Sequence, residues 1–149
     1  MNLTVYLSGE IHTDWRDQIT SEAQQKGLPV TFLSPVTDHE NSDNCGTTIL
    51  GDEDKPFWKD HKSAKVNAIA TRTSIKRSDV VVVRFGEKYR QWNAAYEAGY
   101  ASALGKSLII LHDPSLTHSL KEVDAAALAV AETPQQVVLL LNYVLNGKL

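Results

Sequence analysis

Asp79-Val80-Val-Val-Val83 and, one short turn later, Gln91-Trp-Asn-Ala-Ala-Tyr-Glu97-Ala-Gly-Tyr-Ala-Ser-Ala-Leu-Gly105 decide how this chain is read. A continuous β-branched run with no polar alternation fits a central parallel strand buried on both faces. The run that follows is small and apolar, and Glu97 is the only charged side chain between Arg90 and Lys106. In open α/β sheets the ligand crevice lies just beyond the C-terminal ends of the strands, so a carboxylate near the start of this helix stands beside it. A lone acid on a largely buried helix costs free energy unless something compensates it. Glu97 is therefore the first candidate functional residue.

Working outward, Leu3 to Leu7 is a short β-prone run stopped by Ser8-Gly9, and Pro29 to Leu33 reads as a second strand. Leu108 to Leu111 is the next strand after the Glu97 helix, stopped by His112-Asp-Pro114, and Ala127 to Ala131 is a weak fifth. Helices are expected from Thr13 or Asp14 to Gly27, from Phe57 to Arg77, through Glu97 to Gly105, and briefly from Leu116 to Val123. Thr133-Pro-Gln-Gln136 is a capping signal, and Val137, Leu140, Leu141, Val144 and Leu145 give the final helix one apolar face. Val36 to Pro56 is polar, with Asp, Asn and Gly in abundance, and reads as a long solvated lid. Gly99 is expected to permit close helix–sheet approach, and Lys106 to cap the C-terminus of its own helix. Trp92, Tyr96 and Tyr100 recur every four residues, a stripe suited to the core or a subunit interface.

The alternation of strands and helices predicts an α/β fold, a three-layer α/β/α sandwich in one domain spanning residues 1–149. The simplest assignment is a flavodoxin-like five-stranded parallel sheet, order 2-1-3-4-5, with its switch point between strands one and three. That crevice brings Tyr6, Ser8, Gly9 and Glu10 together with the segment from Arg84 to Glu97.

A chain of 149 residues can bury a real core, and its 42% hydrophobic and 22% charged content is ordinary for a globular domain. A net charge of −3 and a pI near 5.9 advertise no polyanionic partner, so no nucleic-acid surface is expected. Cys45 stands alone, which rules out an intrachain disulfide and fits a reducing cytoplasm. No signal-like N-terminus and no run near the ~20 apolar residues of a membrane span is present, so no membrane partner is expected.

Familiar α/β sites are absent. Ser8-Gly-Glu-Ile-His-Thr13 carries neither a Gly-x-Gly-x-x-Gly fingerprint nor a Gly-Lys-Ser/Thr phosphate loop. There is no Gly-x-Ser-x-Gly elbow, and Val83-Arg84 occupies the place where a phosphoacceptor domain needs Asp. The five histidines show no metal-site spacing, and the acids of the 36–56 segment lack the register of a calcium loop. No metal or redox cofactor is implied. What remains is one carboxylate with polar neighbours, suited to covalent catalysis at an electrophilic carbon such as C1′ of a nucleoside.

Val5-Tyr-Leu-Ser-Gly-Glu-Ile-His-Thr-Asp14, Ser78-Asp79-Val-Val-Val and Glu97-Ala-Gly-Tyr-Ala-Ser-Ala-Leu-Gly-Lys106 resemble three segments of the nucleoside 2-deoxyribosyltransferases, and the chain as a whole resembles the small bacterial YtoQ family related to them. The resemblance implies that Glu97 is the covalent nucleophile, that Tyr6 holds its carboxylate, and that Asp79 helps orient the deoxyribose or the nucleophile's surroundings. Ser8, Gly9, Glu10 and His12 would border the nucleobase pocket, with Arg84 and Asn93 also binding substrate. It also implies, together with the aromatic stripe, a homo-oligomer. One departure stands out: where such transferases carry an Asp that handles protonation of the base, this chain has Gln91, whose amide is no acid. A hydrolase, a different leaving group, or another acid such as Glu10 or Glu87 all fit that change. Arg84, Lys88 and Arg90 could favour a phosphorylated substrate.

The expected function is thus an N-glycosyl transferase or hydrolase acting on a nucleoside, nucleotide or related N-glycoside through a glycosyl-Glu97 intermediate. The alternative is a non-catalytic nucleotide-binding module on the same fold. A third reading is an interaction protein that uses the Trp92/Tyr96/Tyr100 surface.

Overall fold

The computed structural model describes residues 1–149. In chain order it contains β1 (Leu3–Gly9), α1 (Trp15–Gln25), β2 (Val30–Leu33), α2 (His39–Leu50), α3 (Pro56–Arg77), β3 (Val80–Phe85), α4 (Trp92–Ala103) and β4 (Ser107–His112). A 3-10 turn (Pro114–Leu116), α5 (Lys121–Ala125), β5 (Ala129–Ala131) and α6 (Pro134–Asn146) complete it. The five strands form one parallel sheet in the order β2-β1-β3-β4-β5, as the alternation predicts.

Side chains alternate across each strand, and this splits the core in two. Leu3, Val5 and Leu7 of β1, Val80 and Val82 of β3, and Ile109 and Leu111 of β4 pack with Trp15, Ile19 and Ala23 of α1 and Val137, Val138 and Leu141 of α6. On the opposite face Tyr6, Val81, Val83, Phe85, Leu108 and Ile110 meet Ile75 of α3 and Ala94, Ala98 and Ala101 of α4. The valine run is buried along its length, as a strand covered on both sides requires.

The capping signal before α6 is real: Thr133 Oγ1 accepts from the Gln136 amide at 3.2 Å, and Gln136 Oε1 accepts from the Glu132 amide at 2.6 Å. Between Val36 and Pro56 the structure corrects the sequence reading. That segment is a helix, α2, not a long loop, and it packs on α3. Asp38 caps it, accepting from the Asn41 amide at 2.8 Å. Its partners are polar: Ser63 Oγ donates to the Asp43 carbonyl at 2.6 Å and accepts from the Gly46 amide at 3.1 Å, while Asn67 Nδ2 donates to the Ser42 carbonyl at 2.9 Å. A Cβ at Gly46 would lie 2.3 Å from the Ser63 nitrogen, so only glycine lets the two helices approach this closely. A helix held by side-chain-to-backbone bonds shows no apolar stripe to read.

Smaller differences have equally local causes. The expected Leu116–Val123 helix divides into the 3-10 turn and α5. The close approach of α4 to the sheet comes from Ala94, Ala98 and Ala101; Gly99 is exposed, with nothing within 4 Å of a built Cβ. Lys106 caps a neighbouring helix rather than its own, donating to the Lys76 carbonyl in the last turn of α3 at 2.7 Å.

Candidate active site

At the C-terminal end of β1 the strand leaves the sheet through Gly9, whose φ of +103° suits glycine. A Cβ there would lie 2.2 Å from the Arg84 carbonyl oxygen, which instead accepts from the Glu10 amide at 3.0 Å. Tyr6 and Ser8, two residues apart, project to the α3/α4 face. On that face α3 packs chiefly on α2 rather than α4. A cleft of about 650 Å³ opens there, within the range of small-molecule sites. Gly9 at the end of β1 and residues 10–12 after it, α3 and the start of α4 line it.

Glu97 lines this cleft, half-buried. The Ser8 hydroxyl donates to its Oε2 in a short hydrogen bond. Burial pushes the carboxyl above the ordinary carboxylate range, against the opposing pull of the Ser8 bond and the Arg16 guanidinium. Glu97 is the sixth residue of α4, beyond the first turn where a helix dipole acts strongly. Ser8 and Arg16, rather than the helix end, favour its ionised form.

Tyr6 is fully buried, and its hydroxyl makes no hydrogen bond of good geometry, with the Thr71 side chain the one hydrogen-bonding neighbour near enough to act on it. Burial first, and then the charge of Glu97, push its ionisation far above the phenol range, with Thr71 and Arg16 opposing. The group is a phenol at physiological pH, with a proton to donate.

Arg16 escaped the sequence reading. It is buried on the first turn of α1, stacked 4.5 Å over the Trp15 ring. Its three nitrogens donate to the carbonyls of Leu7 at 3.0 Å, Glu10 at 2.6 Å and Gly9 at 3.1 Å, which ties down the end of β1. Burial pulls its pKa down, opposed by Tyr6, Glu10 and Glu97. Nothing in Trp15-Arg16 announces this role, because the accepting carbonyls belong to another element.

Glu10 is buried and committed. Its carboxylate accepts from the amides of His12 and Thr13, from the Thr13 hydroxyl at 2.6 Å and from Arg84 Nε at 3.4 Å. Burial pushes its pKa up, but those hydrogen bonds and the Arg84 charge carry it below the ordinary value. Arg84 is thereby spent on Glu10 and does not line the cleft. Gln91 is equally occupied: its Oε1 accepts from the Gly86 amide and its Nε2 donates to the Lys88 carbonyl, both at 3.1 Å, closing the loop before α4.

Of the other expected residues, Gly9, His12 and Asn93 line the cleft, with Asn93 one turn before Glu97. Asp79 does not join them. It is exposed before the N-terminal end of β3, the opposite end of the strand from the cleft, and its Oδ2 accepts from the Thr4 amide at 2.8 Å. Its main-chain amide also bonds the Thr4 carbonyl at 2.8 Å, so its work is to extend the β1/β3 ladder. Trp92 and Tyr96 prove to be exposed walls of the cleft, and Arg72 donates to the Tyr96 hydroxyl at 3.2 Å.

The fold and site define a doubly wound α/β protein with a half-buried carboxylate in its switch-point cleft. A sequence profile of the family described as "Nucleoside 2-deoxyribosyltransferase YtoQ" matches residues 6–145, and the chain belongs to that family. It is 42% identical over 143 residues to a Bacillus subtilis protein described as "Uncharacterized protein YtoQ", covering 96% of this chain and 97% of the relative. Its fold is similar to that of a 2-deoxyribosyltransferase from Bacillus psychrosaccharolyticus, with a TM-score of 0.54 at 20% identity over 91% of this chain and 90% of that one. A conserved protein from Enterococcus faecalis is similar in the same way, with a TM-score of 0.65 at 12% identity over 97% and 100% of the two chains.

Proposed function

We propose that the protein is an N-glycosyl transferase or hydrolase acting on a nucleoside, nucleotide or related N-glycoside, with Glu97 as covalent nucleophile. The observation that carries this reading is the carboxylate of Glu97, which lines the switch-point cleft while the buried Ser8 hydroxyl holds it from behind, beside the buried Tyr6 hydroxyl. Membership of the family supports it.

One Glu97 oxygen attacks C1′ as the C1′–N bond breaks, giving a glycosyl ester that water or a second base resolves. Ser8 fixes the other oxygen. Burial makes the carboxylate less well solvated, and so a more reactive nucleophile, at the cost of a higher pKa. The Tyr6 phenol, still protonated, serves the carboxylate or the sugar as charge develops. Asn93 offers an amide to sugar hydroxyls, while Gly9 and the 10–12 backbone border the base. The exposed Trp92 and Tyr96 suit a homo-oligomer, and the lone Cys45 suits a cytoplasmic setting.

A second reading, a nucleotide-binding module without turnover, is favoured by one observation: Gln91 is locked into its loop and is no acid. Incubation of wild type and Glu97→Ala with mixed nucleosides and nucleotides separates the two. Base release by wild type alone supports catalysis. Saturable binding with no release, equally tight in Glu97→Gln, would replace the enzyme reading with the binding module.

A further inference from the structure

An N-glycosidic bond breaks easily only if the departing base takes up a proton. Neither acid expected from the sequence is placed to give one: Glu10 is ionised and surrounded by donors, and Glu87 is exposed and outside the cleft lining, while Gln91 is an amide closing its own loop. A different group stands at the mouth of the cleft. His12 lines it, and its ring lies between two others, stacked on His39 at 4.8 Å between centroids and tilted against Tyr89 at 4.6 Å. The three rings come from three places, the loop after β1, the first residue of α2 and the loop before α4.

We propose that His12 is the general acid for the leaving base, with His39 as its positioning partner; this rests on the glycosyl-transfer reading above. His39 Nε2 lies 3.3 Å from His12 Nδ1, the one hydrogen bond that the His12 ring makes, so Nε2 is its free nitrogen. In the imidazolium form His12 Nδ1–H donates to His39, and the Nε2 proton faces no competitor. As Glu97 bonds to C1′ and the C1′–N electron pair leaves with the base, that proton passes to a ring nitrogen of the base. The base departs neutral, and His12 is left as a neutral imidazole. When water then attacks C1′ and the Glu97 ester oxygen leaves with its electrons, the water proton returns to His12 Nε2.

The site is built to hold the imidazole there. Glu10 receives the main-chain amides of His12 and Thr13, fixing the loop that carries the ring. Tyr89 adopts φ 66°, a left-handed conformation unfavourable for a non-glycine residue, and its ring rests on His12. The charged groups on the elements around His12 are Glu10 and Asp14 on its own loop, Arg84 behind Glu10, Asp38, Glu40 and Asp43 on and before α2, and Glu87, Lys88 and Arg90 beside Tyr89.

The preferred substrate is then a nucleoside or nucleotide whose base leaves as a nitrogen anion needing a proton, a purine in particular. The test compares 2′-deoxyguanosine with 7-methyl-2′-deoxyguanosine, each with and without a 5′-phosphate. The methylated base already carries its charge and leaves without a proton. His12→Asn should lower kcat on the unmethylated compounds by ~100-fold or more, with a far smaller loss on the methylated ones. His39→Phe, which keeps the stack and removes the hydrogen bond, should give a smaller loss, again confined to kcat on the unmethylated compounds. Equal losses on both bases in His12→Asn, or no loss on either, would overturn the proposal. Absence of base release from every compound by wild type would overturn the glycosyl-transfer reading itself, and this proposal with it.

Discussion

The two faces of the sheet are finished in different ways. Beneath α1 and α6 the apolar cluster is closed, with Val5, Ile19, Val137 and Val138 fully buried and Arg16 the buried charge at its edge, over Trp15. Beneath α3 and α4 the same strands meet a cleft, and polar groups sit where packing would otherwise be complete. Two carboxylates near the end of β1 sharpen the contrast. Glu10 is saturated with donors and its pKa is lowered; Glu97 has one hydroxyl and a raised pKa. A satisfied acid organises structure, whereas an under-satisfied one is poised to react.

The largest expected effect is on turnover. Glu97→Gln should reduce it by on the order of 10⁴-fold or more, measured as base release. The same change should raise stability at neutral pH. With a folded-state pKa above 4.5, the folded protein holds the Glu97 proton more tightly than the unfolded chain. Stability from this group is therefore present below 4.5 and lost as pH rises through the folded value. Glu97→Gln should melt higher than wild type at pH 7, with the gain fading towards pH 4.5. A lower Tm at pH 7 would break the comparison.

On the closed face, Leu141→Ala should cost about 2–5 kcal/mol in denaturant unfolding, while the folded protein keeps its turnover. Glu10→Gln should cost less, about 1–3 kcal/mol. Its pH dependence has the opposite sign to that of Glu97: the stabilisation is present above 4.5 and lost as pH falls through the lower folded pKa. A Glu10 variant as stable as wild type at pH 7 would show that its hydrogen bonds are not what hold the 10–13 loop. Smallest of all, Gly99→Ala should add about 0.5–1 kcal/mol, since the new methyl on α4 meets nothing. A loss instead would reveal a contact on that exposed face, as a homo-oligomer would make.

What could be read from the sequence follows the same division. The valine run, Leu108–Leu111 and the Thr133–Gln136 cap carry their own signals, since buried strands and helix starts depend on neighbours close in sequence. Glu97 stands out because a lone charge in an apolar helix is conspicuous. The α2 helix does not, because Ser63 and Asn67 hold it from another element. Arg16, His39 and Tyr89 become visible only once three segments meet. Asp79 misled for a simpler reason: it adjoins the right strand but lies at its far end, where it bonds Thr4.

The most direct test of the central claim is peptide mapping by mass spectrometry after acid quench, with a 2′-fluoro nucleoside to slow resolution of the ester. The account predicts one added sugar, on the peptide that contains Glu97 and on Glu97 itself. Base release with the sugar on another residue, or undiminished release by Glu97→Gln, would contradict it.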